Sequence, residues 1–136
     1  MAGEYPFVVV TPTRMAYEGA VRSFQAPGTD GEFEVLTGHV PMLTSLRPGI
    51  LTIRDTESRH IYAVSGGFVE VLRHQATVLA EAVERADEID LDRAQQAKAR
   101  ARQRLESGGQ KLDIDRAKAS LDRALNRIKA SHLFSG

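Results

Sequence analysis

The chain has 136 residues, 42% of them hydrophobic and 26% charged, with 18 Lys+Arg against 18 Asp+Glu and no cysteine. This composition suits one sizeable core plus an appendage and excludes a disulfide framework or a thiolate metal site, which fits a reducing compartment. A start carrying Glu4 in place of a basic, apolar leader argues against a secretory signal, and no apolar run approaches the roughly 18 residues of a membrane span. The expectation is a soluble protein able to sit on a membrane complex without inserting.

From Tyr5 to Ala80 short runs of β-branched, aromatic and aliphatic residues alternate with turn signals. Tyr5–Val10 closes at Thr11-Pro12, Met15–Glu18 at Gly19, and Val21–Ala26 runs into Pro27-Gly28-Thr29-Asp30-Gly31. That cluster predicts a turn through which no strand passes. Glu32–Leu36, Met42–Leu46, Gly49–Ile53, Ile61–Val64, Phe68–Leu72 and Ala76–Ala80 follow, for about nine strands in all. Phe33 and Val35 alternate with Glu32 and Glu34, and Phe68 is set against Glu70 as a core-facing residue. Two sheets packed face to face bury so many apolar faces without helices, so an antiparallel β-sandwich is predicted.

Between Arg85 and Ala94 the pattern changes. Asp90 is placed to cap a helix, with Asp92 adding negative charge to its first turn, and nothing breaks that helix before Leu105. Ser107-Gly108-Gly109-Gln110 stops it, and Asp113 is expected to open a second helix running to about His132. So short a connection predicts an antiparallel two-helix hairpin. The fold class is therefore α+β, with a sandwich over residues 1–86 and a hairpin over 87–136. On the second helix Ile114, Ala117, Leu121, Ala124, Leu125 and Ile128 form an apolar stripe, whereas the first offers mainly Ala94, Ala97, Ala101 and Leu105. Alanines bury little area, so the hairpin is expected to be marginally stable and movable by a partner or ligand.

The zero net charge hides a polarity. Residues 1–88 hold 7 basic and 12 acidic residues, a balance of −5, and the remaining 11 basic and 6 acidic residues give +5. Arg93, Arg100 and Arg104 lie along one side of the first helix, and Arg116, Arg123 and Arg127 along one side of the second. These rows read either as a solvated surface or, because Arg favours bidentate contact, as a site for carboxylate or phosphate. The only aromatic in the hairpin is Phe134, which leaves no stacking surface for nucleic acid. His39, His60, His74 and His132 lack metal-site spacing, and neither Gly66-Gly67 nor Ser65 has the setting of a phosphate loop or a nucleophile elbow. No catalytic constellation is present, so the chain is read as a non-enzyme that requires no cofactor.

Four stretches, in order, resemble the ε subunit of bacterial F-type ATP synthases over essentially the whole chain. They are Val9-Val10-Thr11-Pro12, Gly31-Glu32 with Gly38-His39-Val40-Pro41-Met42-Leu43, Ser65-Gly66-Gly67-Phe68-Val69-Glu70-Val71, and Ile89-Asp90-Leu91-Asp92-Arg93-Ala94. The sequence departs from the usual pattern at Phe33–Gly38, where a Gly before the aliphatic pair and a Pro before Gly-His are missing. The resemblance implies a sandwich of about ten strands and a place in the rotating central stalk, peripheral to the cytoplasmic face of the inner membrane. The sandwich would bind the γ subunit and the ring of c subunits, with Glu32 and His39 on that face. The hairpin would extend toward the acidic loop of the catalytic β subunit and inhibit ATP hydrolysis, engaging it through Arg116, Arg123 and Arg127.

In some members of that family ATP is a regulatory ligand that holds the hairpin folded. Carried over by position, its contacts would be Glu84, Ile89, Asp90, Arg93, Ala94, Arg100, Arg123 and Arg127, with arginines toward the phosphates. Leu112-Asp113-Ile114-Asp115-Arg116-Ala117 fits the same six-residue pattern, so the motif also reads as a helix cap followed by an early arginine. The competing reading of the whole chain is a freestanding nucleotide-sensing β-domain with a helical lid.

Overall fold

Ten strands and two long helices make up the chain in the computed structural model, which describes residues 3–135. The strands are β1 (Tyr5–Val10), β2 (Met15–Val21), β3 (Ser23–Gly28), β4 (Gly31–Leu36), β5 (Met42–Leu46), β6 (Gly49–Arg54), β7 (Arg59–Val64), β8 (Gly67–Val71), β9 (Ala76–Ala80) and β10 (Val83–Arg85). A 3-10 turn (Ala86–Glu88) leads into α1 (Leu91–Ser107) and α2 (Lys111–Ser135). The contacts divide the chain into two compact units, one ending at Arg85 and the other beginning at Ala86.

In the first unit the hydrogen-bonded order is β10-β7-β6-β3-β5-β8-β9-β1-β2, with β4 paired to β3. All pairs are antiparallel except β1 with β9, whose parallel register sets Phe7 beside Ala76 and Val9 beside Val78. β3 joins the two layers, pairing with β6 through Ser23, Phe24 and Gln25 and with β5 only at Gly28. Their inner faces meet in one cluster. Phe24, Leu51, Ile53, Tyr62 and Val64 come from one side, and Phe7, Val9, Val69, Val71 and Val78 from the other. Phe7 and Phe24 stack across it with ring centroids 4.2 Å apart. Tyr5 is buried beside them and donates its hydroxyl to Val35 O at 2.6 Å, and burial pushes its phenol far above the ordinary range.

Three expectations for this unit need correction. A strand does pass through Pro27-Gly28: β3 and β4 form a hairpin whose turn is only Thr29-Asp30, with Gly28 opposite Gly31. Proline is tolerated there because β3 has parted from β6 after Gln25, so its missing N–H removes no bond on that edge. Gly31 takes φ +134°, and a Cβ on Gly28 would stand 2.7 Å from Gly31 O, so the glycines make a tight hairpin possible where they looked like a break. Second, Phe68 does not face the core. It is 54% exposed and shares its face with Glu70, while Val69 and Val71 point inward, as a period of two requires of residues 68 and 70. Third, β10 adds a short strand beside β7 that three residues of polar pattern did not announce.

In the second unit Asp90 caps α1 as expected, its carboxylate accepting from Arg93 N at 3.1 Å. Gly108 ends the helix at φ +74°, donating its N–H to Leu105 O. α2 starts at Lys111, two residues before the expected cap, with Ile114 N bonded to Gln110 O, so Asp113 lies inside the first turn and caps nothing. The duplicated motif is thus not structurally duplicated. Among the described residues of this unit, every buried hydrophobic one is an alanine: Ala86, Ala94, Ala101, Ala117, Ala124 and Ala130. Leu121 and Ile128 are half-buried beside them, but Leu125 is 39% exposed, one step of rotation off the stripe to which it was assigned.

Candidate functional site

Seven-and-four spacing of arginines on both helices, combined with an antiparallel turn, has a definite geometric outcome. Ala97, Ala101, Ala117 and Ala124 form a low floor, and helices meeting over such small side chains can approach closely. Arginines flanking that floor then converge from both sides. Arg100 and Arg104 from α1 and Arg123 and Arg127 from α2 line one groove of about 350 Å³, together with Ser120. Arg123 donates to Ser120 Oγ at 3.1 Å. A second lobe of about 640 Å³, toward the hairpin turn, is lined by Arg100, Arg104 and Arg116 with Gln103, Ser107 and Asp113.

Of the residues expected to contact a nucleotide, the fold therefore brings Arg100, Arg123 and Arg127 together. Asp90, Arg93 and Ala94 sit at the start of α1: Asp90 and Arg93 are exposed, Ala94 is buried, and Ile89 is half-buried with its N–H on Ala86 O. Arg93 does not line the groove. Glu84 belongs to the other unit, in β10 opposite Ala63. Arg104 and Ser120 are groove residues that the motif did not select. The signal for Arg104 was its place four residues after Arg100. None exists for Ser120, because a serine on a helix is common and only the partner helix gives it a role.

The two residues expected on the partner face lie in the first unit. Glu32 is on β4 opposite Pro27, within 3.5 Å of the Gln25 amide. His39 follows the β4–β5 turn and sets its ring edge-on to Tyr5 at 4.9 Å, with both ring nitrogens buried and without a hydrogen-bond partner among the described residues. Burial of the ring holds its imidazole below the ordinary range. Leu36, Val40, Met42 and Leu43, in and beside the same turn, are all exposed. Four exposed apolar residues thus stand within one short stretch of the chain.

A further polar cluster occupies the β6–β7 turn. Asp55 accepts from Glu57 N and Ser58 N at 2.8 and 2.7 Å, and lies 2.9 Å from His60 Nε2. The His60 bond, then the two backbone donors, hold its carboxyl well below the usual carboxylate range. Ser58 and Asp55 both approach the same nitrogen of His60, so no relay through the ring can form, and the cluster is a turn brace. Among the described residues no group of three or more His, Asp and Glu could hold a metal, and no helix is long and apolar enough to cross a membrane.

Comparison with known proteins agrees with both units. The family model for the beta-sandwich domain of the ATP synthase Delta/Epsilon chain matches residues 4–86, and that for its long alpha-helix domain matches residues 87–132. The ATP synthase epsilon chain of Desulforamulus reducens is 44% identical, with 90% of this chain and 93% of the relative covered. That of Desulfosudis oleivorans is 49% identical, with 79% and 82% covered. Among solved structures, a chain of the Euglena gracilis mitochondrial ATP synthase, an OSCP/F1/c-ring assembly, superposes with a TM-score of 0.85 at 21% identity, covering 96% of this chain and 82% of that one. A chain from the central stalk and c-ring of the Tetrahymena thermophila mitochondrial ATP synthase gives 0.66 at 16% identity, covering 93% and 95%.

Proposed function

The chain belongs to the ATP synthase Delta/Epsilon family, and from that premise we propose that it is a rotor subunit whose hairpin regulates ATP hydrolysis. It is a non-catalytic member of an F-type ATP synthase, part of the F1 complex. The sandwich couples γ to the c ring, with His39, Glu32 and the exposed Leu36, Val40, Met42 and Leu43 at the contact. The structural neighbours come from F1/c-ring and central-stalk assemblies, which supports that placement. The family assignment displaces the reading as a freestanding sensor.

In the hairpin, ATP is the regulatory ligand. The single observation that carries this reading is the convergence of Arg100, Arg123 and Arg127, from two helices, in one groove. Guanidinium forks from opposite walls can each take a phosphate oxygen, and such charge-assisted pairs are roughly twice as strong as neutral hydrogen bonds. A ligand held by both helices favours the closed hairpin by its differential affinity for that state. Once the hairpin opens, the same arginines are released to engage carboxylates of the β subunit's acidic loop, and hydrolysis is inhibited.

Calorimetric titration of the whole chain with ATP tests this. Binding is expected, weakened by Arg100→Ala and by Arg123→Ala. Absence of heat at millimolar ATP would leave Asp90 as a helix cap only. In a reconstituted complex, changing Arg116, Arg123 and Arg127 together to Ala should relieve inhibition of ATP hydrolysis.

A further inference from the structure

The groove on the hairpin is longer and differently furnished than a nucleotide needs. Its two lobes share Arg100 and Arg104 and so form one continuous trough. Along α2 Arg116 and Arg127 are eleven steps apart, about 16 Å at the helical rise. A triphosphate is shorter than that distance. Five arginines line the trough against one carboxylate, Asp113, and the lining holds no aromatic and no large aliphatic side chain on which a base could rest.

The charge is also sorted by side. Asp92, Asp115 and Asp122 each precede an arginine of the rows by one residue, and a single step turns a side chain by about 100° away from the row. The acidic residues therefore share the far flank with Arg102 and Lys118 and do not neutralise the trough. Arg100, Arg104 and Arg116 make no ion pair or side-chain hydrogen bond among the described residues. Five like charges gathered against one carboxylate leave an excess of positive potential that attracts an anion of matching spacing.

We propose that this trough binds a linear polyphosphate chain, with Arg104 and Arg116 extending the site beyond the arginines expected to hold ATP. Recognition is of the repeating phosphate oxyanion alone. Arg100, Arg123 and Arg127 take one end of the chain and Arg104 and Arg116 the other, with the Gln103 amide as a neutral donor toward the turn. The small alanines serve the site as well as the hairpin: a floor without bulk leaves the trough open to a thin chain along its length.

The test is titration of the whole chain with inorganic tripolyphosphate and with a longer polyphosphate of defined length. The longer chain should bind about tenfold more tightly at low salt, since the two added pairs, both at exposed arginines, are together worth about a decade of affinity, and the gain should shrink as salt is raised. The double variant Arg104→Gln/Arg116→Gln should erase the gain, bringing the longer chain's affinity down to that of tripolyphosphate measured on the same variant. Arg102→Gln/Lys118→Gln, which removes the same charge from the far flank, should keep it. All four side chains are exposed, so helical content should be unchanged. Equal affinity for the two chain lengths, or equal losses in the two double variants, would overturn the proposal. The nucleotide reading fails separately: polyphosphate binding with this variant pattern, in a chain that gives no heat with ATP, would refute ATP regulation and leave the trough assigned.

Discussion

In the sandwich, rings and branched aliphatics meet: Phe7 on Phe24, with Leu51, Ile53, Val64 and Val78 around them, all essentially out of solvent. Among the described residues of the hairpin only alanines are fully buried. At roughly 25 cal/mol per Å² of apolar surface, the first arrangement fixes one conformation and the second barely holds its helices together. The comparison teaches what the small residues are for. A core of large side chains would have made the hairpin firm, and it would also have pushed α1 and α2 apart and separated the arginine rows.

The largest effect is expected in the sandwich. Phe24→Ala should cost about 3 to 5 kcal/mol, read as a lower urea midpoint for the β signals. If amide protection in α1 and α2 fell equally, the two regions would be a single cooperative unit and the contrast would be lost. A smaller loss is expected at the hairpin. Asp90→Ala removes the cap on Arg93 N and should cost about 1 kcal/mol, seen as faster exchange in the first turn of α1 with β-strand amides unchanged. The smallest effect is one of pH. The folded-state carboxyl of Asp55 titrates below the ordinary value of 3.8, so the stability it contributes is complete above that value and is lost as pH falls through the lower, folded-state range. The difference in urea midpoint between the native chain and Asp55→Asn should therefore shrink as pH falls below the ordinary carboxylate range and vanish in strong acid, with the hairpin unaffected.

Much of this was legible in the residues. Period-two runs gave nine of the ten strands, and the step to helical spacing at Asp90 gave the cap to the residue. Errors fell where a local signal was overruled by a neighbour. Pro27-Gly28 looked like a break, but β3 carries it at a point where it has left β6 and needs no donor. Asp113 looked like a cap because its surroundings copy those of Asp90, yet the short turn after Gly109 lets α2 begin at Lys111. Phe68 was assigned inward by its chemistry, though strand parity sends it out with Glu70.

By itself the sequence determined the two kinds of architecture, the helix start at Asp90 and the arginine rows, because each depends on residues within a few positions of one another. Only the tertiary structure decided that the rows face one trough, that Ser120 and Arg104 belong to it, and that the His39 ring stands edge-on to Tyr5. Those depend on which helix or strand lies alongside, and periodicity along one element carries no information about its neighbour.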